Sequence, residues 1–345
     1  CLGHTTTMVQ HDFDIVIPLY QHRWNTRAVL EGLTVHYSPR SIHIITPAAQ
    51  VRSLSEVTPS WNTAPLLLHE EEWFFQSCGF TKDQVCVELD LSESLYTPGW
   101  FYQQLLKLGA PDGIPDLSEW YVVWDSDLLP VATWPLIESS AGESRYTFAL
   151  LQHNQWGNAQ IVATWAKWIQ TVLGVEPFTD KEGTFIPHHM WFKREHLDSF
   201  KQQVGRYYNS DEHWLVLMMR SANDFGTFSE YWAYVSWVAA VAPDDLAFHA
   251  YAQYGETTER FFDDGTGRFS AALMQSLSLS ATAPTFSPTY VQVEQFIQSE
   301  YGDALPSSLS FESSPRHLKK DTKTMHIEEQ RSRWNPRLVD TASAP

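Results

Sequence analysis

From Glu119 to Pro130 the chain reads Glu-Trp-Tyr-Val-Val-Trp-Asp-Ser-Asp-Leu-Leu-Pro, an apolar run that stops abruptly at two aspartates one residue apart. Tyr121 to Trp124 are aromatic or β-branched with no polar alternation. Such a run suits a strand covered on both faces, as in a parallel sheet flanked by helices. Ligands in open sheets of that kind bind beyond the carboxyl ends of the strands, and Asp125 and Asp127 lie there. If the extended backbone persists, residues two apart point the same way, so both carboxylates could face one hard cation before Pro130 ends the strand. A solvated Asp-Ser-Asp turn is the competing reading, because these residues favour turns through local hydrogen bonds. Asp12-Phe13-Asp14 provides an internal control, since the same spacing there precedes its apolar run and lies at the wrong end of its strand.

The flanking pattern agrees with an α/β fold. Residues 14–20 read as a buried strand, 25–36 as a helix and 41–46 as a second strand ended by Pro47, a βαβ unit that predicts a parallel sheet. A third strand is expected over 64–69, followed by Glu70-Glu71-Glu72 as a solvated face. Residues 99–109 predict a short helix entering the central strand, 145–152 a strand, and 159–173 a helix. Extended structure over 183–193 holds His188 and His189. Helices follow over 195–207, 212–220 and 229–241, the last capped by Ser229, then a strand over 246–251 and a helix over 290–301. The expected organisation is a frayed terminus over 1–11, one domain over 12–302 and a polar, largely disordered tail over 303–345. Within the domain, 271–289 is rich in Ser, Thr, Ala and Pro and reads as a linker or meander.

Composition narrows the function classes. The 345 residues are 43% hydrophobic and 14% aromatic, enough for a sizeable core, and most of the fifteen tryptophans are expected in it. Trp100 and Trp156, next to glycines, are the two candidates for sugar stacking. A formal charge of -18 argues against nucleic acid as a partner and means that an anionic substrate needs a local cation. Cys1, Cys78 and Cys86 form neither a disulfide framework nor a zinc pattern and read as ordinary thiols, the latter two partly or wholly buried. No apolar run approaches the length of a membrane span. The chain begins at Cys1, which leaves an upstream signal or anchor open; a cytoplasmic and a Golgi or secretory-lumen setting both fit. The oligomeric state is not legible.

Five segments in order resemble the GT-A-fold glycosyltransferases with an Asp-x-Asp motif, and more closely a group of bacterial and fungal nucleotide-diphospho-sugar transferases of unknown function. They are residues 14–20, residues 99–108, Asp125-Ser126-Asp127, residues 188–195 and residues 228–234, together spanning roughly 12–250. The resemblance implies a GT-A-like, mostly parallel central sheet with helices on both faces. It implies transfer of a sugar from a nucleotide diphosphate donor, a UDP- or GDP-sugar, to a hydroxyl acceptor on a glycan, lipid, small molecule or protein. Mn²⁺ or Mg²⁺ is the expected ion, held by Asp127 and Asp125, with His249 as a further ligand. Tyr20 beside Pro18, Gln104 with Lys107 one helical turn away, and His189 are the expected donor contacts. Glu230 is the acceptor-side catalytic group, a general base if configuration is inverted and a positioning group if it is retained; simple capping of its helix is the competing role. A non-catalytic carbohydrate- or nucleotide-binding module on the same fold is the alternative. A metal-dependent phosphohydrolase ranks last, because its second cluster of His and Asp ligands is not evident.

Overall fold

A computed structural model of the chain describes residues 12–89, 98–140, 143–152, 159–179, 183–184, 188–250, 259–261, 263–279, 286–303 and 305–311. The apolar run is the strand β4 (Trp120–Trp124) of a five-stranded sheet. Two βα units precede it: β1 (Asp14–Pro18), α1 (Thr26–Tyr37), β2 (Ser41–Thr46), α2 (Ala48–Val57) and β3 (Leu66–Glu70). The order β3-β2-β1-β4-β9 is parallel throughout except at its last pair, where β9 (His189–Lys193) runs antiparallel to β4. Helices flank this mixed, mostly parallel sheet, as the unbroken apolar runs require. Ile15, Val16 and Ile17 of β1 and Tyr121, Val122 and Val123 of β4 are all buried to 1% exposure or less.

Between β3 and β4 lie α3 (Lys82–Glu88), α4 (Pro98–Leu108) and α5 (Ala110–Gly113); Pro98 opens α4, where a missing N–H costs nothing. After β4 come β5 (Leu128–Pro130), β6 (Ile137–Ser140), β7 (Glu143–Gln152), α6 (Ala159–Trp168) and β8 (Gly183–Thr184). A wider π-type turn over Ile169–Leu173 extends α6. Beyond β9 follow α7 (Arg194–Tyr208), α8 (Trp214–Phe225), α9 (Glu230–Val241), β10 (Leu246–Ala250), β11 (Glu259–Phe261), α10 (Asp263–Ser276), α11 (Tyr290–Tyr301) and β12 (Ser308–Phe311). Strands β10, β7, β6 and β8 form a second sheet, and β11, β12 and β5 a third. No helix among the described residues is long and apolar enough to cross a membrane.

Three expectations need correction. Residues 271–276 belong to α10, because Leu273 and Phe269 supply one apolar face that the surrounding small polar residues obscure in the sequence. Residues 308–311, expected in the tail, form β12, which pairs antiparallel with β5 and buries Leu309 and Phe311. Two apolar residues are too few to show a period, so only the partner strand reveals this one. Glu71, expected in solvent, is buried beside Lys82, with burial raising its pKa and Lys82 opposing that rise. The termini at 1–11 and 312–345 lie outside the described residues.

Candidate functional site

Strand order reverses between β1 and β4, because β2 and β3 add to one side of β1 and β4 to the other. Such a switch point leaves a crevice at the carboxyl ends of the two strands. The parallel register Asp14↔Tyr121 to Val16↔Val123 puts the end of β1 at Pro18 and the end of β4 at Trp124 on the same edge of the sheet.

Asp125-Ser126-Asp127 is a turn and not a continuation of β4. The Leu128 amide closes it on the Asp125 carbonyl at 3.1 Å, and Trp124 Nε1 donates to the Leu128 carbonyl at 2.8 Å. Its flanks are fixed from both sides: the Asp125 amide donates to the His188 carbonyl at 2.8 Å, and the Phe311 amide to the Asp127 carbonyl at 3.0 Å. The turn reading of this motif is the one observed, and a turn still leaves both carboxylates near one point. The carboxylates converge through the turn, not through the pleat, because the chain leaves the first sheet here to enter the third.

Antiparallel pairing of β9 with β4 sets Trp124 opposite His189, and so brings His188 level with Asp125. His188 Nδ1 lies 3.3 Å from Asp125 Oδ2. Asp125, Asp127 and His188 each offer a ligand atom, all within 4.8 Å of one another. Burial alone would raise the Asp125 pKa, but Lys107 and the His188 hydrogen bond outweigh it and hold the carboxyl at about 2. The group is ionised at neutral pH.

Behind the turn, Gln104 and Lys107 project from one face of α4 and are buried. Lys107 Nζ is 3.0 Å from Asp125 Oδ1 and 2.8 Å from Glu230 Oε1. Burial opposes its charge, yet the two carboxylates raise its pKa well above the usual lysine value. The Gln104 carboxamide, oriented with its nitrogen toward Glu230 as hydrogen bonding requires, donates to the same carboxylate. Glu230 opens α9, whose N-cap Ser229 accepts from the Trp232 amide at 3.3 Å. Tyr231 OH donates to Asp125 Oδ1 at 3.3 Å, while its ring lies 4.4 Å below Lys107 Nζ.

The expected residues thus divide. Asp125, Asp127, Gln104, Lys107 and Glu230 come together in one cluster, and Pro18 ends β1 at its edge. Tyr20 stands out from the surface, 77% exposed. His189 is a core residue: it stacks on Trp124 with ring centres 4.7 Å apart, and burial pushes its pKa down to about 3. His249, in β10, lies edge-on to Trp134 and is outside the three-residue ligand cluster. Trp100 is part of α4 and packs against the core, and Trp156 lies outside the described residues. Sequence reasoning weighs His188 and His189 as a pair of which one enters the cleft and favours His189, where the structure brings His188 to Asp125; it misses Tyr231. Alternation along an extended segment shows that only one of two adjacent histidines faces the crevice, and the β4–β9 register selects His188.

No curated protein sequence matches the chain. Among solved structures it is similar to mouse xyloside xylosyltransferase 1 in its apo form, with 9% identity and a TM-score of 0.40 over 87% of this chain and 97% of that one. It is also similar to the apo glycosyltransferase GlyE of Streptococcus pneumoniae TIGR4, with 11% identity and a TM-score of 0.32 over 90% and 55% of the two chains. Glucosyl-3-phosphoglycerate synthase of Mycobacterium tuberculosis, in complex with Mn²⁺, UDP and glucosyl-3-phosphoglycerate, matches at 13% identity and a TM-score of 0.27 over 69% of each chain. Residues 14–275, more than half of the chain, match the family of unknown function DUF6492, and the protein belongs to that family.

Proposed function

We propose that the protein is a metal-dependent glycosyltransferase that moves a sugar from a nucleotide diphosphate donor to a hydroxyl acceptor. The observation that carries this reading is the convergence of Asp125, Asp127 and His188 at the mouth of the β1–β4 crevice. Asp125, Asp127 and Glu230 outnumber the one ammonium of Lys107, an excess of negative charge that a divalent ion would offset. Carboxylate oxygens suit Mg²⁺ or Mn²⁺, and an imidazole beside them favours Mn²⁺ over the oxygen-seeking Mg²⁺. Bound by these residues, the ion offsets the charge of a donor diphosphate and of the diphosphate left after transfer. A chain of -18 otherwise repels such a ligand.

The protein's own groups then have defined tasks. Asp127 and His188 present ligand atoms on one side of the crevice. Asp125 shares the site and is oriented from behind by Lys107 and Tyr231. Pro18 closes the floor at the end of β1, and the exposed Tyr20 ring offers a face for the donor base, uracil or guanine. The acceptor is a hydroxyl compound.

One observation favours the alternative of a non-catalytic nucleotide- or carbohydrate-binding module. Glu230 is 4% exposed and held by Lys107 and Gln104, so it does not present a free carboxylate to an acceptor. A thermal-shift panel of nucleoside diphosphates with and without Mn²⁺ tests the main reading. Stabilisation by one base only in the presence of Mn²⁺ is expected, and no metal-dependent stabilisation by any of them overturns it. Nucleotide binding without donor hydrolysis or transfer, across a panel of activated sugars, selects the binding module.

A further inference from the structure

The ammonium of Lys107 has three N–H donors. Glu230 Oε1 at 2.8 Å and Asp125 Oδ1 at 3.0 Å account for two, and the face of the Tyr231 ring, 4.4 Å away, receives the remaining positive side. The lysine is 4% exposed and belongs to α4, whereas Asp125 follows β4 and Glu230 begins α9. One side chain therefore ties three separate parts of the fold together, and its donors are committed before any diphosphate arrives. Glu230 is committed in turn, between Lys107, the Gln104 carboxamide and the positive end of α9.

We propose that Lys107 is a positioning residue of the cation site: anchored by Glu230, it holds Asp125 Oδ1 from behind, together with Tyr231 OH, so that Asp125 Oδ2 faces His188 and Asp127. This assigns Glu230 the role of a counter-charge acting through Lys107, in place of an acceptor-side base. The proposal rests on the reading of Asp125, Asp127 and His188 as a divalent-cation site. Supporting groups of this kind change metal affinity by about 10–100-fold when removed, because the ligand they orient is released.

The test compares Mn²⁺ binding, by calorimetry with the metal alone, in the wild-type chain, in Glu230→Gln and in the double variant Lys107→Met/Glu230→Gln. The double variant removes one charge of each sign, so the cluster keeps its net charge and Glu230 is not left as a buried unpaired ion, while Asp125 keeps Tyr231 OH and His188 beside it. It is expected to bind Mn²⁺ at least ~10-fold more weakly than the wild type, as Asp125 is no longer held. Mn²⁺ affinity equal to that of the wild type overturns the proposal, since charge alone would then account for Lys107. Tyr231→Phe keeps the ion pairs, removes only the hydroxyl bound to Asp125, and serves if the double variant does not fold; about 10-fold weaker Mn²⁺ binding, the low end of the same range, is expected, and no change refutes the clamp. Glu230→Gln with unaltered Mn²⁺ and nucleotide binding but lost sugar transfer restores Glu230 as a catalytic group and also overturns the proposal. Wild-type protein that binds Mn²⁺ but no nucleoside diphosphate refutes the transferase reading and leaves the clamp open to the Mn²⁺ comparison. Absence of Mn²⁺ binding by the wild type overturns both.

Discussion

Asp14→Asn is expected to lower stability by about 3 kcal/mol while leaving cation binding intact, the reverse of what the other Asp-x-Asp motif predicts. Asp14 is fully buried at the start of β1. Its carboxylate accepts from Arg40 Nε at 2.9 Å, from Arg40 Nη2 and from the Ser118 amide at 2.9 Å, with His43 Nε2 3.6 Å away. Breaking a buried pair by neutralising one partner costs about 3–5 kcal/mol. The lower end applies because the Arg40 side chain is 42% exposed and can turn to water, whereas the buried Ser118 amide cannot. In a domain of this size the loss corresponds to a melting-temperature fall of about 5 °C. Burial alone would raise the Asp14 pKa, but the nearby His43 ring and the hydrogen bonds from Arg40 and the Ser118 amide outweigh it and hold the folded-state value well below the usual carboxylate range. A depressed folded-state pKa stabilises above the unfolded value, about 4, and that stability is lost as the pH falls. Urea unfolding should therefore show a constant gap between wild type and variant from about pH 7 to 5 and a narrower gap by about pH 3. Equal stability at neutral pH, or a gap unchanged at the acid end, would refute the reasoning.

Three further outcomes follow from the structure. Asp127→Ala should weaken Mn²⁺ binding at least ~100-fold, beyond the effect of losing a supporting group, yet move the melting temperature by no more than about 2 °C, because the side chain lies in a partly exposed turn; calorimetry and thermal denaturation check the two halves. His36 bonds Tyr290 OH at 2.7 Å and Thr133 Oγ1 at 2.9 Å, and burial pushes its pKa down to about 4. The fold binds its neutral form, so stability is full above about pH 6.5 and declines towards the folded-state value, and His36→Gln should remove that part of the urea-midpoint pH profile. Gly109→Ala would set a methyl group within 2.8 Å of Trp214 and closer still to Phe75, an overpacking expected to cost about 1–3 kcal/mol in chemical denaturation.

The parallel sheet and its helices were legible from residues 14–46 and 119–130, because burial on both faces demands unbroken apolar runs that few other structures tolerate. The position of Asp125 and Asp127 at a carboxyl end was legible for the same reason, and so was the lesser role of Asp12 and Asp14, the latter a buried structural ion pair. Short elements were not: β12 is a strand only because β5 lies beside it. Phase was also hidden, since which of His188, just before β9, and His189, its first residue, reaches Asp125 depends on the pairing of β9 with β4.

What the sequence determined alone is the local pattern: which segments must be buried, where they stop, and which carboxylates stand at the stops. What only tertiary structure decided is which distant groups meet there. Lys107 and Glu230 are 123 residues apart, and either reads in isolation as a solvated or capping side chain. Their contact exists because α4 and α9 pack behind the Asp125 turn, where a buried ammonium must find carboxylates to keep its charge. No periodicity encodes such a meeting, because pairing energy depends on distances in space and not along the chain.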